Sequence, residues 1–204
     1  SLIFADPPYN LGKDFGNLSD KQEWNDYCKW TKTWVDKAFS VLSDTGQMYI
    51  TISPHLWLVN LYTGLLVGKN VRLIPWVKNT GMLHKYAKDW EWFWELIILI
   101  KKSDKYIYNK PEGIETRDWW QFSTPWIEHH NRWFKHPSQK PERLLRKIIT
   151  SSSNKNDLVF DPFSGSGTTA IECFKSDRRF IGCEINEEYI DITEKRLKKV
   201  GWPG

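Results

Sequence analysis

The feature that most constrains the fold of this chain is a glycine-rich turn between an apolar strand and a helix. The strand predicted at residues 157–160 runs into D-P-F-S-G-S-G-T-T at residues 161–169, and a helix is predicted at residues 168–175. Glycines let backbone N–H groups approach a ligand closely, and a helix start favours a negatively charged group such as a carboxylate. Glu184 ends the next predicted strand, where an acid can accept hydrogen bonds from both hydroxyls of a ribose. The arrangement predicts a nucleoside-binding site, and the lack of G-K-S/T disfavours a phosphate-binding P-loop.

Strands and helices alternate along the chain. Strands are predicted at residues 2–5, 48–53, 72–78, 93–100, 157–160 and 180–184. Helices are predicted at residues 24–41, 55–67, 141–149, 168–175 and 187–199, the first of them after a possible capping box at Asp20 and Glu23. The alternation predicts an α/β fold, in which a mostly parallel sheet is covered by helices on both faces. The length predicts a single domain over residues 1–204.

Composition excludes several classes of protein. The net charge of +4 is compatible with a polyanionic partner without requiring one, and the 13 tryptophans exclude a disordered chain. Three widely spaced cysteines predict neither a disulfide framework nor a metal site. The longest aliphatic run, residues 96–100, is far shorter than a membrane span needs, and the first residues do not resemble a signal peptide.

A second motif, Asp6-Pro7-Pro8-Tyr9, directly follows the first predicted strand. The lone pair of an exocyclic amine is delocalised into its nucleobase, so the amine is a poor nucleophile until something localises that pair. A carboxylate and a backbone carbonyl can do so by accepting from the two amine hydrogens. The prolines would hold the carbonyl, and Tyr9 offers a flat face for a base turned out of the stack. Taken alone, the tetrapeptide also fits an ordinary turn.

Together, D-P-P-Y and D-P-F-S-G-S-G-T-T resemble the amino-group DNA methyltransferases that use S-adenosylmethionine. The segment H-P-S-Q-K-P at residues 136–141 looks like the H-P-T-Q-K-P segment of that family. Residues 76–78 and 95–101 are similar to two further family strands, W-x-K and E-x-I-L-x-x-x-K. With the catalytic motif first and the cofactor motif last, the order resembles the beta class. The resemblance implies a Rossmann-like methyltransferase fold with circularly permuted motifs.

The resemblance also implies residue roles. Asp6, the carbonyl of Pro7, Pro8 and Tyr9 would form the catalytic motif. The cofactor would be surrounded by Asp161, Pro162, Phe163, Ser164, Gly165, Ser166, Gly167, Thr168 and Thr169. Glu184 would bind its ribose and Ile185 would pack on its adenine, while Ser138 and Lys140 would approach its methionine carboxylate.

The implied function is site-specific transfer of a methyl group to the N6 amine of adenine in DNA, by an enzyme of a restriction-modification system or an orphan modification enzyme. In this family D-P-P-Y goes mostly with adenine, whereas S-P-P-Y goes with the N4 amine of cytosine. Cytosine in DNA, adenine in RNA and a protein glutamine amide remain alternative substrates. A catalytically inactive nucleic-acid-binding module is the alternative from another class, although the intact motif residues argue against it.

Basic residues in two loops are candidates for DNA contacts. Lys13, Lys78, His84, Lys85 and Lys88 could follow phosphates, although solvated lysines without a role are the alternative.

Residues 103–135 are the candidate target-recognition insertion, in which Arg117 and Arg132 are candidate contacts. The family usually has a further strand before D-P-P-Y, and we expect that strand to be absent from this chain. The resemblance further permits a homodimer and a cognate restriction endonuclease as functional partner, and a cytoplasmic location in a prokaryote or phage.

Overall fold

A computed structural model describes residues 1–15, 19–78, 90, 92–110, 116–123 and 139–203. The strands are β1 (Leu2–Ala5), β2 (Gln47–Ile52), β3 (Asn70–Val77), β4 (Trp94–Lys101), β5 (Trp120–Gln121), β6 (Leu158–Asp161) and β7 (Arg179–Gly182). The helices are α1 (Trp24–Val41), α2 (Leu56–Leu65), α3 (Glu142–Ser152), α4 (Thr168–Lys175) and α5 (Glu187–Lys199). None of the helices in these described ranges is long and apolar enough to span a membrane.

The seven strands form one sheet in the order β5-β3-β4-β2-β1-β6-β7. β4 pairs antiparallel with both β2 and β3, and the other pairs are parallel, which confirms the predicted mostly parallel sheet. The carboxyl ends of β1, β2, β3, β6 and β7 therefore meet at one edge, here called the carboxyl edge. Because β4 runs the opposite way, its first residues lie at the same edge.

Helices cover both faces of the sheet, as predicted. On one face, Val35 of α1 and Leu58 of α2 pack with Ile50 and Ile98 in one buried cluster. On the other face, α3 and α4 pack with residues of β1, β4 and β6 in a second cluster. α5 packs against α4. β1 and the middle of β4 are buried on both faces between the two helical layers, which is why these strands carry continuous apolar runs.

Two local predictions differ from the structure. The capping box at Asp20 is wrong, because α1 begins at Trp24 with Glu23 as its N-cap and without a side-chain cap. The Asp20 carboxylate instead accepts hydrogen bonds from the N–H groups of Leu11 and Lys13, which fold the loop before the helix. The short strand β5 was not predicted, and it extends the sheet beyond β3.

The described part of the candidate recognition insertion is fixed to the domain by polar contacts. Gln47 Nε2 donates to the carbonyl of Ile107 at 2.6 Å. Asn109 Nδ2 donates to the carbonyls of Thr150 and Ser153 at the end of α3, at 3.1 and 2.8 Å. Residues 111–115 and 124–135 of the insertion lie outside the described residues.

Candidate active site

Asp6 follows β1 at the carboxyl edge, and three donors hold its carboxylate. The hydroxyls of Tyr9 and Thr51 donate to Oδ1 at 2.8 and 2.5 Å. Lys140 Nζ, from the segment before α3, lies 2.7 Å from Oδ2. The pairing of β1 with β2 explains the Thr51 contact, since Ala5 is opposite Ile50. Asp6 is thereby fixed in one orientation.

Glu95 brings a second carboxylate to Asp6. It lies near the start of β4, which reaches the carboxyl edge because that strand is antiparallel. Its Oε1 is 2.7 Å from Lys78 Nζ, and its Oε2 is 3.5 Å from Lys140 Nζ. The hydroxyl oxygen of Tyr9, whose single hydrogen is directed to Asp6 at the shorter distance, also lies 3.3 Å from Oε2. We call Asp6, Tyr9, Lys78, Glu95 and Lys140 the acid–lysine cluster.

The acid–lysine cluster is buried and charged. The side chains of Lys140, Glu95 and Asp6 are 8%, 14% and 16% exposed. Burial alone would raise the pKa of Glu95, but the charges of Lys140 and Lys78 outweigh it and lower that pKa. Burial would likewise lower the pKa of Lys140, and the two carboxylates raise it instead. Asp6 and Glu95 are therefore each paired with a lysine in a site that is largely shielded from bulk water.

The turn at the two prolines is held from α1. The hydroxyl of Tyr27 donates to the carbonyl of Pro8 at 2.9 Å, and burial raises the pKa of Tyr27 to about 12, so this hydroxyl stays protonated. Asn10 follows at a φ of 58°, and its side chain exchanges hydrogen bonds with the backbone of Gln22. Tyr9 is only 8% exposed, and burial raises the pKa of its hydroxyl well above the usual value. The stacking face proposed for Tyr9 is covered in this conformation and stays a prediction.

The glycine-rich turn follows β6 as predicted. The Asp161 carboxylate, 2% exposed, accepts from the Thr169 hydroxyl at 2.5 Å and from the N–H of Phe163 at 3.0 Å. Burial raises the pKa of Asp161 to about 7. Gly165 and Gly167 have φ values of 51° and 77°, a region that favours glycine, and Gly167 is the N-cap of α4.

Glu184 joins the end of β7 to this turn. Its Oε2 accepts from the N–H of Gly165 at 2.7 Å, and its Oε1 accepts from the N–H groups of Ile185 and Asn186. Ile185 is exposed beside it. Arg196 of α5 secures the turn from the other side by donating to the carbonyl of Ser166 at 2.5 Å.

A single cleft joins the two predicted motifs. Asp6 and Lys140 line it on one side. The other side is formed by Asp161, Phe163, Ser164, Gly165, Ser166, Thr168 and Thr169. Pro162 and Gly167 shape the turn without lining the cleft. Lys140 lines the cleft, and its ammonium is directed to Asp6 because the carboxylates of Asp6 and Glu95 attract it. Its approach to the methionine carboxylate of the cofactor stays a prediction.

Among the candidate DNA contacts the structure describes Lys13, Lys78 and Arg117, and Arg117 lies apart from the other two. Lys78 is held by Glu95 inside the acid–lysine cluster, so its ammonium is not turned toward an external phosphate. Burial, and to a smaller extent the charge of Lys140, lower the pKa of Lys13. Arg117 lies over the ring of Trp119 and lines a separate cavity with Lys101, at the opposite edge of the sheet. Five further residues predicted to contact DNA or the cofactor lie outside the described residues: His84, Lys85, Lys88, Arg132 and Ser138.

Sequence reasoning assigned no role to Glu95, Thr51, Tyr27 or Arg196. The only signal for Glu95 was its position in a segment similar to a family strand. Thr51 and Tyr27 belong to no motif. Their hydrogen bonds to Asp6 and to the Pro8 carbonyl depend on the register of β1 with β2 and on the packing of α1.

Comparisons with known proteins agree with this geometry. Residues 1–195 match the N6_N4_Mtase family, described as DNA methylase. The chain is 33% identical over 214 residues to the Type II methyltransferase M.HpaI of Haemophilus parainfluenzae, covering 96% of this chain and 67% of that protein. It is 32% identical to the DNA adenine methyltransferase YhdJ of Escherichia coli (strain K12), covering 96% and 75%. The crystal structure of the M1.HpyAVI-SAM complex superposes with a TM-score of 0.72 at 30% identity, covering 96% of this chain and 87% of that one.

Proposed function

Because this chain belongs to the N6 and N4 DNA methylase family, we propose that its target is the exocyclic N6 amine of adenine in DNA. The chain is a DNA methyltransferase that uses S-adenosylmethionine. The observation that carries the proposal is the shared cleft, in which Asp6 after β1 faces the glycine-rich turn after β6. A carboxylate that binds the amine and a loop that binds the methyl donor then act at one place.

The residues of the cleft fit S-adenosylmethionine. The molecule carries a cationic sulfonium and an ammonium group, and the cleft contains the carboxylate of Asp161. The left-handed conformations of Gly165 and Gly167 bring the backbone of the turn to the cleft, and Glu184 stands beside it for a ribose. When bound, the cofactor supplies the methyl group of its sulfonium, and the remainder of the cofactor leaves as a neutral thioether.

Asp6 and the carbonyl of Pro7 activate the target amine in this proposal. Each accepts one amine hydrogen, which localises the nitrogen lone pair, and the Asp6 carboxylate stabilises the positive charge that develops on nitrogen. Tyr27 holds the turn through the Pro8 carbonyl, so the two acceptors keep a fixed separation. The excess amine proton leaves to solvent after transfer.

Two observations favour adenine over cytosine. Position 6 is an aspartate, as in the D-P-P-Y type of the family. In addition, one relative that the chain covers over 75% of its length is named a DNA adenine methyltransferase.

The remaining parts of the proposal concern partners and the insertion. We assign residues 103–135 as the target-recognition region within a single methyltransferase domain. A cognate restriction endonuclease is the proposed functional partner because several relatives are Type II methyltransferases. A homodimer and a cytoplasmic location complete the proposal, and light scattering of the purified chain tests the dimer.

Transfer of labelled methyl from S-adenosylmethionine to unmethylated bacterial DNA, followed by nucleoside analysis, tests the proposed function. We expect the label in N6-methyladenine. Label in N4-methylcytosine would contradict the proposed base. Bound cofactor without any transfer to DNA would contradict the proposed activity.

A further inference from the structure

Asp6 and Glu95 share the same two hydrogen-bond donors. The Tyr9 hydroxyl lies 2.8 Å from Asp6 Oδ1 and 3.3 Å from Glu95 Oε2. Lys140 Nζ lies 2.7 Å from Asp6 Oδ2 and 3.5 Å from Glu95 Oε2. Both donors are closer to Asp6, and both can reach Glu95 Oε2 by moving about an ångström or less, because a hydrogen bond forms within about 3.2 Å.

This arrangement conflicts with the task of Asp6 in the proposed function. A carboxylate stabilises a cationic amine through its negative charge, and the ammonium of Lys140 at 2.7 Å compensates that charge. Oδ1 already accepts from Tyr9 and Thr51, so the acceptor position that remains for the amine is at Oδ2, beside Lys140. Asp6 therefore stabilises the amine more strongly once Lys140 and Tyr9 have moved away from it.

Glu95 is the acceptor that can take them. Its Oε1 is engaged by Lys78, whereas Oε2 faces the two shared donors. Its side chain is 14% exposed, so little water competes for that oxygen. After a shift of Lys140, Glu95 would have two lysines beside it, and Asp6 would face the developing positive charge on the amine. The shift itself leaves the summed charge of these two carboxylates and two lysines at zero.

We propose that Glu95 is a positioning residue, which receives the Lys140 ammonium and the Tyr9 hydroxyl from Asp6 when the target amine binds. This inference rests on the proposed function and assigns Glu95 no contact with the amine or the methyl group. It makes Lys140 the mobile member of the cluster and Lys78 its fixed member.

Glu95→Gln tests the proposal, since the amide keeps the size of the side chain and removes its charge. Lys140 should then remain on Asp6. We expect the single-turnover rate of methyl transfer to fall by about tenfold to a hundredfold. Dissociation constants for S-adenosylmethionine and DNA should change less than about twofold, because the loss concerns the transition state. Glu194→Gln, on the exposed face of α5, is the control that should leave the rate unchanged.

A double-mutant cycle separates this role from a structural one. In a Lys140→Met background no ammonium remains to be moved, so Glu95→Gln should change the rate by less than about threefold. An equal loss in both backgrounds, or a fully active Glu95→Gln variant, overturns the proposal. If Glu95→Gln unfolds, Glu95→Asp is the second variant. The retained charge of Glu95→Asp should keep most of the activity. The proposal fails if a folded Glu95→Asp enzyme transfers the methyl group about tenfold to a hundredfold more slowly than the control Glu194→Gln.

The activity of the wild-type chain in the same assay distinguishes a wrong role for Glu95 from a wrong proposed function. Methyl transfer by the wild type with additive variant effects overturns only the role of Glu95. A wild type that transfers no methyl group overturns the proposed function and this inference together.

Discussion

The N–H of Gly165 donates to Glu184 Oε2 over 2.7 Å, which ties the turn after β6 to the acid after β7. The other oxygen of Glu184 accepts from Ile185 and Asn186, each at 2.9 Å. A carboxylate offers about four acceptor positions, so one remains at Oε2 for a ribose hydroxyl. Glu184 can therefore bind a ribose while it shapes the glycine-rich turn.

Glu184→Ala should weaken S-adenosylmethionine binding by about 1–3 kcal/mol, the loss typical of a charged hydrogen bond. The turn would also lose the contact that holds Gly165. Titration calorimetry with the cofactor measures the effect. Glu187→Ala, an exposed acid in the first turn of α5, is the matched control and should bind normally. Equal affinity in Glu184→Ala and wild type would refute the ribose role.

Asp6→Ala should abolish methyl transfer while cofactor binding is largely kept. Removal of the carboxylate leaves the amine without its charged acceptor, and the glycine-rich turn is untouched. Transfer of labelled methyl to DNA and calorimetry measure the two properties on one preparation. Asp26→Ala removes a carboxylate that is 71% exposed and should be fully active. Turnover in the Asp6 variant would remove Asp6 from the catalytic motif.

Cofactor affinity should depend on pH through Asp161. Burial raises the pKa of this carboxyl to about 7, so it is neutral below that pH and charged above it. A cation in the cleft binds the charged form, and affinity should therefore rise by up to about tenfold per pH unit up to about pH 7, then level off. Calorimetry from about pH 5.5 upward measures this. Asp161→Asn should bind S-adenosylmethionine weakly, and its affinity should not rise with pH. If the affinity of this variant rises with pH as in the wild type, a group other than Asp161 causes the pH dependence.

Most of the fold could be predicted because its signals are local. α4 and α5 have the predicted bounds. A glycine-rich turn marks the start of α4 in the sequence, and acidic residues at the start and basic residues at the end mark α5. β5 could not be predicted, because two residues in an aromatic stretch show no period and become a strand only by pairing with Trp76 and Val77.

The candidate site could be predicted only where one motif holds its residues. The D-P-P-Y and glycine-rich segments meet at the cleft because parallel strands end at one edge. Glu95 reaches the same edge from β4 because β4 is antiparallel to its neighbours. No residue pattern in the sequence indicates that direction. The direction of the Lys140 ammonium depends on that same carboxylate, so it could not be inferred from the segment 136–141 alone.

Gly167→Ala should destabilise the protein and weaken cofactor binding. The residue has a φ of 77°, and an added Cβ would lie 2.3 Å from Thr193 Cγ2. The conformation alone costs about 1–2 kcal/mol in a residue with a Cβ. Chemical denaturation measures the loss, and Thr193→Ala in the same chain should recover only part of the steric cost, because the Cβ of residue 193 would still lie 2.8 Å from the added Cβ. Gly64→Ala in α2 has open space around it and should stabilise by about 0.5–1 kcal/mol. Equal stability of the two variants would contradict the prediction.

The stability of the α3–α4 contact should depend on Arg146. Glu172 is fully buried, and its two oxygens accept from Arg146 Nε and Nη2 at 2.8 and 3.2 Å, with Lys175 at 3.4 Å. Arg146→Met keeps the apolar stem but leaves the buried carboxylate with Lys175 alone, so the free energy of unfolding should fall by about 1–3 kcal/mol.

Urea denaturation measures this loss against two controls. Lys155→Met removes a partner of Asp177 in a pair whose side chains are 74% and 62% exposed, and it should leave the free energy of unfolding nearly unchanged because solvent screens the pair. Arg146→Met combined with Glu172→Met removes both charges and should regain most of the loss, because the penalty comes from leaving one charge buried without its partner. A single Arg146→Met variant no less stable than Lys155→Met would show that Lys175 alone compensates Glu172.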